Sequence, residues 1–426
     1  MQAPILVREL EVTEPISDIE VPQRGDGLGY NGVHLLVRMQ CIPVGYVFVP
    51  PDALGAVAVS GRVWQELGVT VNARRRRAGL PALDELSVDG IPAEDALADE
   101  LADYPLVSVV VCTRDRPDSV LTTLRSLAAM RYTSFEVVLV DNAPSSDATR
   151  DAVTREFGTD PRFLYVREPR PGLSCARGRG LVEASAEIVA FTDDDVRVDE
   201  WWLHGIVRGF SAAPDVACVT GLIATAEIDN AAQLYFHLRH SWGASADRKV
   251  YDLGQNRDES PLYPYTAGVF GAGANFAVSR KVMAEVGGFN EALGAGTPSG
   301  GGEDLNIFMR IVLAGHRLVY EPSAVVKHVH RTDLAELSRQ MMAYGSGCTA
   351  ALTAILLDSG RARRELPPKV LAGVAWMRKR SGRVRNDPTL PSGLIRREII
   401  GFLLGPGRYL KGRRKLRRMG ARTKTQ

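Results

Sequence analysis

Short apolar runs alternate with segments of helical periodicity from residue 106 onward. The first of these runs is apolar enough to be covered on both faces. The predicted strands are residues 107–113, 135–140, 163–166 and 187–192, and the predicted helices are residues 117–130, 146–157 and 173–184. Strands that alternate with helices of about 12 residues predict βαβ units. We therefore expect an α/β fold with a mainly parallel sheet flanked by helices.

A different pattern occupies residues 1–104. Residues 33–38 and 46–49 are apolar runs joined by a Pro-Val-Gly turn, which predicts a β-hairpin, and residues 63–78 predict a helix. Because no cluster of chemically active side chains stands out here, we predict a small N-terminal α+β accessory domain. Its role stays open between acceptor recognition, partner docking and a cap on the fold.

Length and composition exclude several classes of protein. The 426 residues are enough for two or three domains, and 45% hydrophobic with 24% charged residues excludes a disordered or fibrous chain. The five cysteines show no CxxC spacing, so neither a disulfide framework nor a zinc cluster is predicted. The N-terminus has acidic residues where a signal peptide needs a basic flank, and the apolar runs fall short of the ~20 residues of a spanning helix. We expect a cytoplasmic protein.

The formal net charge of +2 conceals an uneven distribution. Residues 378–426 carry 16 basic and 2 acidic side chains, whereas the rest of the chain carries 36 basic and 48 acidic ones. The basic, helical C-terminal region, residues 336–426, therefore has two main interpretations. Residues 396–424 could lie on an anionic membrane surface, which would place the protein on the inner face of the cell membrane, or they could be a solvated tail. Nucleic acid is disfavoured because no aromatic side chains are interleaved for base stacking.

Polar side chains gather where the predicted strands end. Thr113 and Arg114 end the first strand, Asp141 follows the second, and Asp193 to Asp195 follow the fourth. Ligands of parallel α/β sheets bind beyond the carboxyl ends of the strands. In an extended segment Asp193 and Asp195 point the same way, so both could address one divalent cation, and carboxylate oxygens suit Mg²⁺ or Mn²⁺. The alternative is an ordinary acidic turn.

Several ordered segments resemble glycosyltransferase family 2, whose members have the GT-A fold and use nucleotide sugars. The segments are VSVVVCTRDRPDSVLTTLRSLAA, VVLVDNAPSSDAT, REPRPGLSCARGRGL, FTDDDVRVDEWWL, GANFAVSRKVMAEVGGFNEAL and GGEDLNIFMRI. The resemblance covers about residues 106–330. It implies a GT-A domain over residues 105–335 and gives no information on the N-terminal section.

The resemblance also implies roles for individual residues. Donor binding falls to Thr113, Arg114, Asp141, Arg177 and Asp194, with Asp141 at the nucleobase or ribose. Metal binding falls to Asp193, Asp195 and His328, and the nearby His330 competes with His328 for that role. Each residue also has an ordinary structural interpretation, since surface arginines are usually solvated and a lone histidine is usually structural.

The segment around Glu303 and Asp304 carries the implied catalysis. In the resembled family, the Asp of this Glu-Asp pair removes the proton of the acceptor hydroxyl, which implies Asp304 as general base. Glu303 is its substitute or an acceptor-binding residue. Acidic residues at a helix N-terminus are also ordinary partners of the helix dipole. Residues 272–275, Ala-Gly-Ala-Asn, either make room for a sugar or pack closely.

The sequence therefore predicts a metal-dependent, inverting glycosyltransferase with a role in cell-wall or polysaccharide biosynthesis. A UDP-sugar donor is favoured over a TDP-sugar, and the acceptor is a glycan, a lipid-linked molecule or a small molecule. Two alternatives stay open: a non-catalytic nucleotide-sugar or glycan-binding homologue, and an Asp-x-Asp phosphotransferase. In a dehalogenase-type phosphotransferase the motif follows the first strand, whereas here it follows the fourth predicted strand of the α/β region. A dinucleotide-binding enzyme is disfavoured because the first strand lacks a glycine-rich turn.

Overall fold

The computed structural model describes residues 1–92, 104–239, 245–266, 268–380 and 392–423. Within this part of the chain, nine strands form one central sheet. They are β4 (Val107–Thr113), β5 (Phe135–Asn142), β6 (Phe163–Glu168), β7 (Ile188–Asp193), β8 (Val196–Val198), β9 (Val216–Thr225), β10 (Lys249–Tyr251), β11 (Asn275–Ser279) and β12 (Arg317–His328). Their order is β10-β12-β9-β11-β7-β4-β5-β6, and β8 pairs with β12.

The predicted parallel arrangement holds for one half of this sheet. Strands β7, β4, β5 and β6 run parallel to one another. Strand β11 then enters antiparallel between β7 and β9, which makes the whole sheet mixed. The four predicted strands lie within one or two residues of the observed ones. The fold is of the α/β class with a GT-A-type sheet, as expected.

The central strands are rich in valine. Both faces of the sheet are therefore apolar and pack against helices. In β4, Val109 and Val111 belong to the same hydrophobic cluster as Leu124 of the following helix. Val110 points to the other face and belongs to the cluster that contains Ala176.

The helices are α1 (Ala56–Arg77), α2 (Pro117–Ala128), α3 (Ala148–Phe157), α4 (Leu173–Glu183), α5 (Trp202–Phe210), α6 (Ala231–Arg239), α7 (Arg280–Glu285), α8 (Glu303–Leu313), α9 (Leu334–Asp358), α10 (Gly360–Arg380) and α11 (Ser392–Thr423).

The N-terminal section is a three-stranded sheet with α1 packed on it. The predicted hairpin is confirmed as β2 (Val33–Met39) and β3 (Ile42–Val49), which pair antiparallel. A third strand that was not predicted, β1 (Leu6–Glu11), pairs parallel to β2. The predicted helix begins earlier than expected, at Ala56. The expected domain boundary at residue 104 adjoins residues 93–103, which lie outside the described part of the chain.

The N-terminal sheet is packed against the central sheet. Leu36 and Tyr46 contact Leu222 and Val325, which lie on β9 and β12. The guanidinium of Arg38 lies 2.7 Å from Asp199, just beyond β8. Both side chains of this ion pair are buried. These apolar contacts and this ion pair connect the N-terminal sheet to the central sheet near β8, the strand that begins directly after Asp195.

Replacing Arg38 with methionine should destabilise the protein strongly. Removing one member of a buried ion pair leaves the other charge buried and unpaired, which costs about 3–5 kcal/mol. Arg125 pairs with Glu156 in an exposed position, so Arg125→Met is a matched control expected to cost below about 1 kcal/mol. Urea unfolding measures both. Equal, small losses for the two variants would contradict a structural role for the Arg38–Asp199 pair.

The C-terminal helices α9 and α11 pack closely together. A Cβ added at Gly345, Gly401 or Gly405 would collide with the backbone of the other helix. Helix α9 has the length and composition of a membrane-crossing helix, which the sequence analysis did not anticipate, and 44% of its most apolar stretch is buried within the protein. Its buried face packs on α8 and α11, as in a helix that belongs to a protein's own core.

Candidate active site

A short antiparallel pairing brings distant parts of the chain to one place. Strand β8 begins directly after Asp195 and pairs with the end of β12, so that Val196 lies opposite His328. Since strand pairing sets which residues are neighbours, this register places the His328 side chain beside the Asp193–Asp195 turn. The site thus forms at the carboxyl end of β7, where the sequence pattern predicted it.

Asp193, Asp195 and His328 form a cluster with the geometry of a metal site. One ligand atom from each residue lies within 4.8 Å of the others, and the Nε2 atom of His328 is 3.4 Å from Oδ1 of Asp195. The Nδ1 atom of His328 lies 3.1 Å from the carbonyl oxygen of Val329. A carbonyl oxygen only accepts hydrogen bonds, so Nδ1 carries a proton and Nε2 is the ring nitrogen that faces the two aspartates. The structure brings all three predicted ligands together.

His330, the competing histidine, lies outside this cluster. Its ring stacks on that of His328 with 5.0 Å between centroids. Its Nε2 atom is 3.2 Å from the Thr225 hydroxyl, which is 2.9 Å from Nδ1 of His237. His330 therefore supports the ring of His328 from behind.

Asp194, between the two clustered aspartates, is held by the protein itself. The Thr113 hydroxyl donates to one carboxylate oxygen at 2.6 Å and Arg116 donates to the other at 2.5 Å. Arg116 also reaches Asp195 at 3.1 Å. Burial raises the pKa of Asp194 to about 7, and the charge of Arg116 opposes that rise. Both oxygens of Asp194 are thus engaged, and its expected contact with the donor stays a prediction.

Arg116 is a site residue that the sequence analysis missed. The predicted donor-binding arginine is Arg114, which stands at the predicted strand end, and that role stays a prediction. The structure shows Arg114 with 53% of its side chain exposed and 3.6 Å from Asp115. Two arginines two residues apart look alike in a sequence. Only the backbone turn at Asp115, whose φ is 54°, decides which of them faces the carboxylates.

Arg177 joins the metal cluster to the implied catalytic pair. Its guanidinium is buried and donates to Glu303 at 2.9 Å, to Asp193 at 3.1 Å and to the Gly273 carbonyl at 2.8 Å. A buried guanidinium with several oxygen partners fixes their relative positions. The predicted contact of Arg177 with a nucleotide is untested, and its observed partners are the protein's own carboxylates.

Asp304 and Glu303 differ sharply in their surroundings. Asp304 is half-buried, and its two oxygens accept hydrogen bonds from the backbone N–H groups of Gly273 at 2.7 Å and Leu305 at 2.8 Å. Glu303 is 5% exposed, and its Oε2 atom has no hydrogen-bond partner among the described residues. Burial and then the neighbouring Asp304 charge raise the pKa of Glu303 to about 7. Asp304 is the accessible carboxylate of the pair.

The glycine loop before these residues is tightly packed. Gly302 precedes α8 with a φ of 89°, in the left-handed region that favours glycine. A Cβ at Gly302 would collide with the backbone of Gly347 in α9. Helix α9 therefore helps to hold the start of α8, where Asp304 lies.

Asp141 is buried at the end of β5. The Tyr165 hydroxyl donates to its Oδ2 atom at 2.8 Å, and Oδ1 has no partner among the described residues. Burial raises the pKa of this carboxyl group. A buried, unpaired carboxylate oxygen is costly, which makes Oδ1 of Asp141 a candidate acceptor for a hydrogen bond from a nucleotide.

The segment of residues 272–275 packs closely. The Asn275 side chain accepts a hydrogen bond from the Trp202 indole at 2.8 Å and donates to the carbonyls of Leu222 and Ala324. Gly273 is bonded to both Arg177 and Asp304. Between the two expectations for this segment, its contacts favour close packing.

Part of the chain matches a known sequence family. Residues 108–287 match the sequence model of the family described as glycosyl transferase family 2. A pre-mycofactocin glycosyltransferase of Mycobacterium tuberculosis is 29% identical over 264 residues, which are 60% of this chain and 51% of that protein. A glucosyl-dolichyl phosphate glucuronosyltransferase of Haloferax volcanii is 27% identical over 228 residues, 52% of this chain and 68% of that protein.

A solved structure shows the same fold. It is the mannosyltransferase PcManGT of Pyrobaculum calidifontis, which aligns with a TM-score of 0.50 and 19% identity over 82% of this chain and 97% of that one. The chain spans about half the length of the mycobacterial relative that it matches.

Proposed function

We propose that this chain, which carries a glycosyltransferase family 2 domain, transfers a sugar from a nucleoside-diphosphate sugar to an acceptor hydroxyl. One observation carries the proposal: the cluster of Asp193, Asp195 and His328 is joined through the buried Arg177 to the segment that bears Asp304. A candidate cation site and an accessible carboxylate thus lie next to the same buried arginine. A homologue that only binds glycans would need neither the cation site nor the carboxylate beside it.

The donor atoms of the cluster fit Mn²⁺ or Mg²⁺. Asp193 and Asp195 offer carboxylate oxygens, and His328 offers the Nε2 atom of its imidazole. The nitrogen ligand favours Mn²⁺ over Mg²⁺, which prefers oxygen ligands. Burial and the nearby Asp195 charge raise the pKa of Asp193, although Arg177 opposes the rise. When bound, the cation would neutralise charge on the departing nucleoside diphosphate.

In the proposed reaction, Asp304 accepts the proton of the acceptor hydroxyl as the oxygen attacks the anomeric carbon. The backbone N–H groups of Gly273 and Leu305 hold the carboxylate in one orientation, which general-base catalysis requires. A single displacement inverts the configuration at that carbon. The neighbouring carboxylate, Glu303, is buried against Arg177, so it is poorly placed to act as the nucleophile of a two-step, retaining route.

The donor would lie over the ends of β4 and β5. Asp141 keeps one unpaired oxygen for a hydrogen bond from a base or ribose, and Thr113 and Arg114 stand at the adjacent strand end. We favour a uridine donor over a thymidine one. GDP belongs among the candidates too, because the structure with the same fold is a complex with GDP-Man and Mn²⁺. The name of the Haloferax relative points to a lipid-linked acceptor, and a small molecule and a glycan stay alternatives.

A thermal-shift panel tests the proposal. We expect one of UDP, TDP, GDP or CMP to raise the melting temperature in the presence of Mn²⁺ and to lose that effect with EDTA. A ligand that binds only the folded state stabilises it by about 2.7 kcal/mol at a hundredfold excess over its Kd. Shifts that do not depend on the cation would contradict the metal-assisted site. No shift with any nucleotide would favour the glycan-binding or phosphotransferase alternative.

A further inference from the structure

The outward face of α11 combines apolar and basic side chains. Ile399, Leu403 and Leu410 are exposed there, and Leu403 shows 77% of its surface to solvent. Arg396 precedes this apolar stripe and Arg414 follows it, at the spacing of one helix face. The opposite face, with Leu394, Gly401, Gly405, Tyr409 and Gly412, is buried.

The charge of this face is predominantly positive. Glu398 is the only acidic residue in α11, and it is turned inward, where it pairs with Arg239 at 2.9 Å. The basic residues at exposed or partly exposed positions of the helix are Arg396, Arg397, Arg408, Lys411, Arg413, Arg414, Lys415, Arg417 and Arg418. Arg413 lies 3.7 Å from Asp358 at the end of α9, an acidic residue of a neighbouring helix. An apolar stripe bordered mainly by cations is typical of a helix that lies in the interface of an anionic bilayer.

We propose that the outward face of α11 docks on an anionic lipid bilayer, with Ile399, Leu403 and Leu410 entering the interface. Its arginines and lysines would contact the lipid phosphates. A nucleic acid is the rival partner for these cations. Base stacking needs aromatic rings, and in α11 Tyr409 is buried and Phe402 partly buried, so the exposed positions offer leucine and isoleucine instead.

The docking face is connected by direct contacts to the start of α8, where Asp304 lies. Arg408 of α11 donates to the Ser346 hydroxyl of α9 at 3.2 Å, and that hydroxyl donates in turn to the carbonyl of Ser299. Gly347 packs on Gly302 at the start of α8. A bilayer bound at α11 would thus lie a fixed distance from Asp304. Given the proposed function, this placement favours a lipid-linked acceptor at the inner face of the cell membrane.

Vesicle co-sedimentation of the full chain tests the docking without any transfer assay. Vesicles of phosphatidylcholine are compared with vesicles containing roughly one third phosphatidylglycerol, whose negative surface attracts basic helices. We expect binding to the anionic vesicles alone, weakening with added salt. Leu403→Glu should reduce the partition coefficient at least tenfold and Arg414→Ala about fivefold.

Val182→Glu is the matched control, because Val182 on α4 is also 77% exposed but lies outside the docking face. It should bind vesicles like the wild type, and circular dichroism should show that all variants are folded. Equal binding by Leu403→Glu and wild type, or no preference for anionic vesicles, would overturn the proposal. Retention of a DNA or RNA oligonucleotide, with no vesicle binding, would assign the face to nucleic acid.

Discussion

Replacing Asp304 with asparagine is expected to lower sugar transfer by about 10²–10⁴-fold, the contribution of a positioned general base. An amide keeps the size of the side chain but cannot take a proton from the acceptor hydroxyl. The metal cluster does not include Asp304, so the nucleotide should bind with nearly unchanged affinity. Single-turnover transfer and nucleotide-induced thermal shifts measure the two effects separately.

Glu303→Gln is the matched control for this experiment, since Glu303 is the adjacent carboxylate. Glu303→Gln should lower transfer by displacing Arg177, to which Glu303 is bonded. The loss of transfer should be smaller than in Asp304→Asn. If Glu303→Gln abolishes transfer while Asp304→Asn retains it, the base is Glu303. If Asp304→Asn loses nucleotide binding as severely as transfer, Asp304 belongs to the donor site.

Replacing Asp195 with asparagine is expected to weaken Mn²⁺ binding at least ~100-fold and to lower transfer in parallel. Loss of an outer-shell partner alone costs 10–100-fold in metal affinity, and here an anionic ligand itself is lost. The remaining cluster would be one carboxylate and one imidazole, a weak set for a hard cation. Electron paramagnetic resonance of free Mn²⁺, titrated in the presence of the nucleotide found by thermal shift, measures the affinity.

Asp194→Asn is the control for the metal experiment because it changes the neighbouring charge outside the cluster. Asp194 is bonded to Thr113 and Arg116, so its variant should keep Mn²⁺ affinity within a few-fold of the wild type. The opposite pattern, in which Asp194→Asn loses the cation and Asp195→Asn keeps it, would mean that the cluster is not the metal site.

Most of the fold could be predicted from local sequence patterns. Buried valine runs such as β4 identify themselves because a strand covered on both faces must be apolar throughout. The Asp-x-Asp pair could be placed at a strand end for the same reason. The weaker signal of β1, where buried and exposed residues do not alternate, was missed, and the start of α1 was placed too late.

The rest of the site depends on contacts between residues that are far apart in the sequence. Arg177 and Glu303 are 126 residues apart, and their bond exists only because the fold brings α4 and the start of α8 together at the end of β7. His328 becomes a neighbour of Asp195 through the short pairing of β8 with β12. The choice of Arg116 over Arg114 depends on one left-handed residue between them. Amino-acid composition and hydrophobic periodicity predict none of these three arrangements.

The sequence by itself determined which side chains are chemically competent, and on which strand ends they stand, because residue type and hydrophobic period are local properties. Only the tertiary structure decided which of them meet. It buried Glu303 and left Asp304 accessible, held Asp194 away from the cluster, and turned Leu403 of α11 outward. Burial and charge pairing depend on everything that surrounds a group, and that environment exists only after the chain has folded.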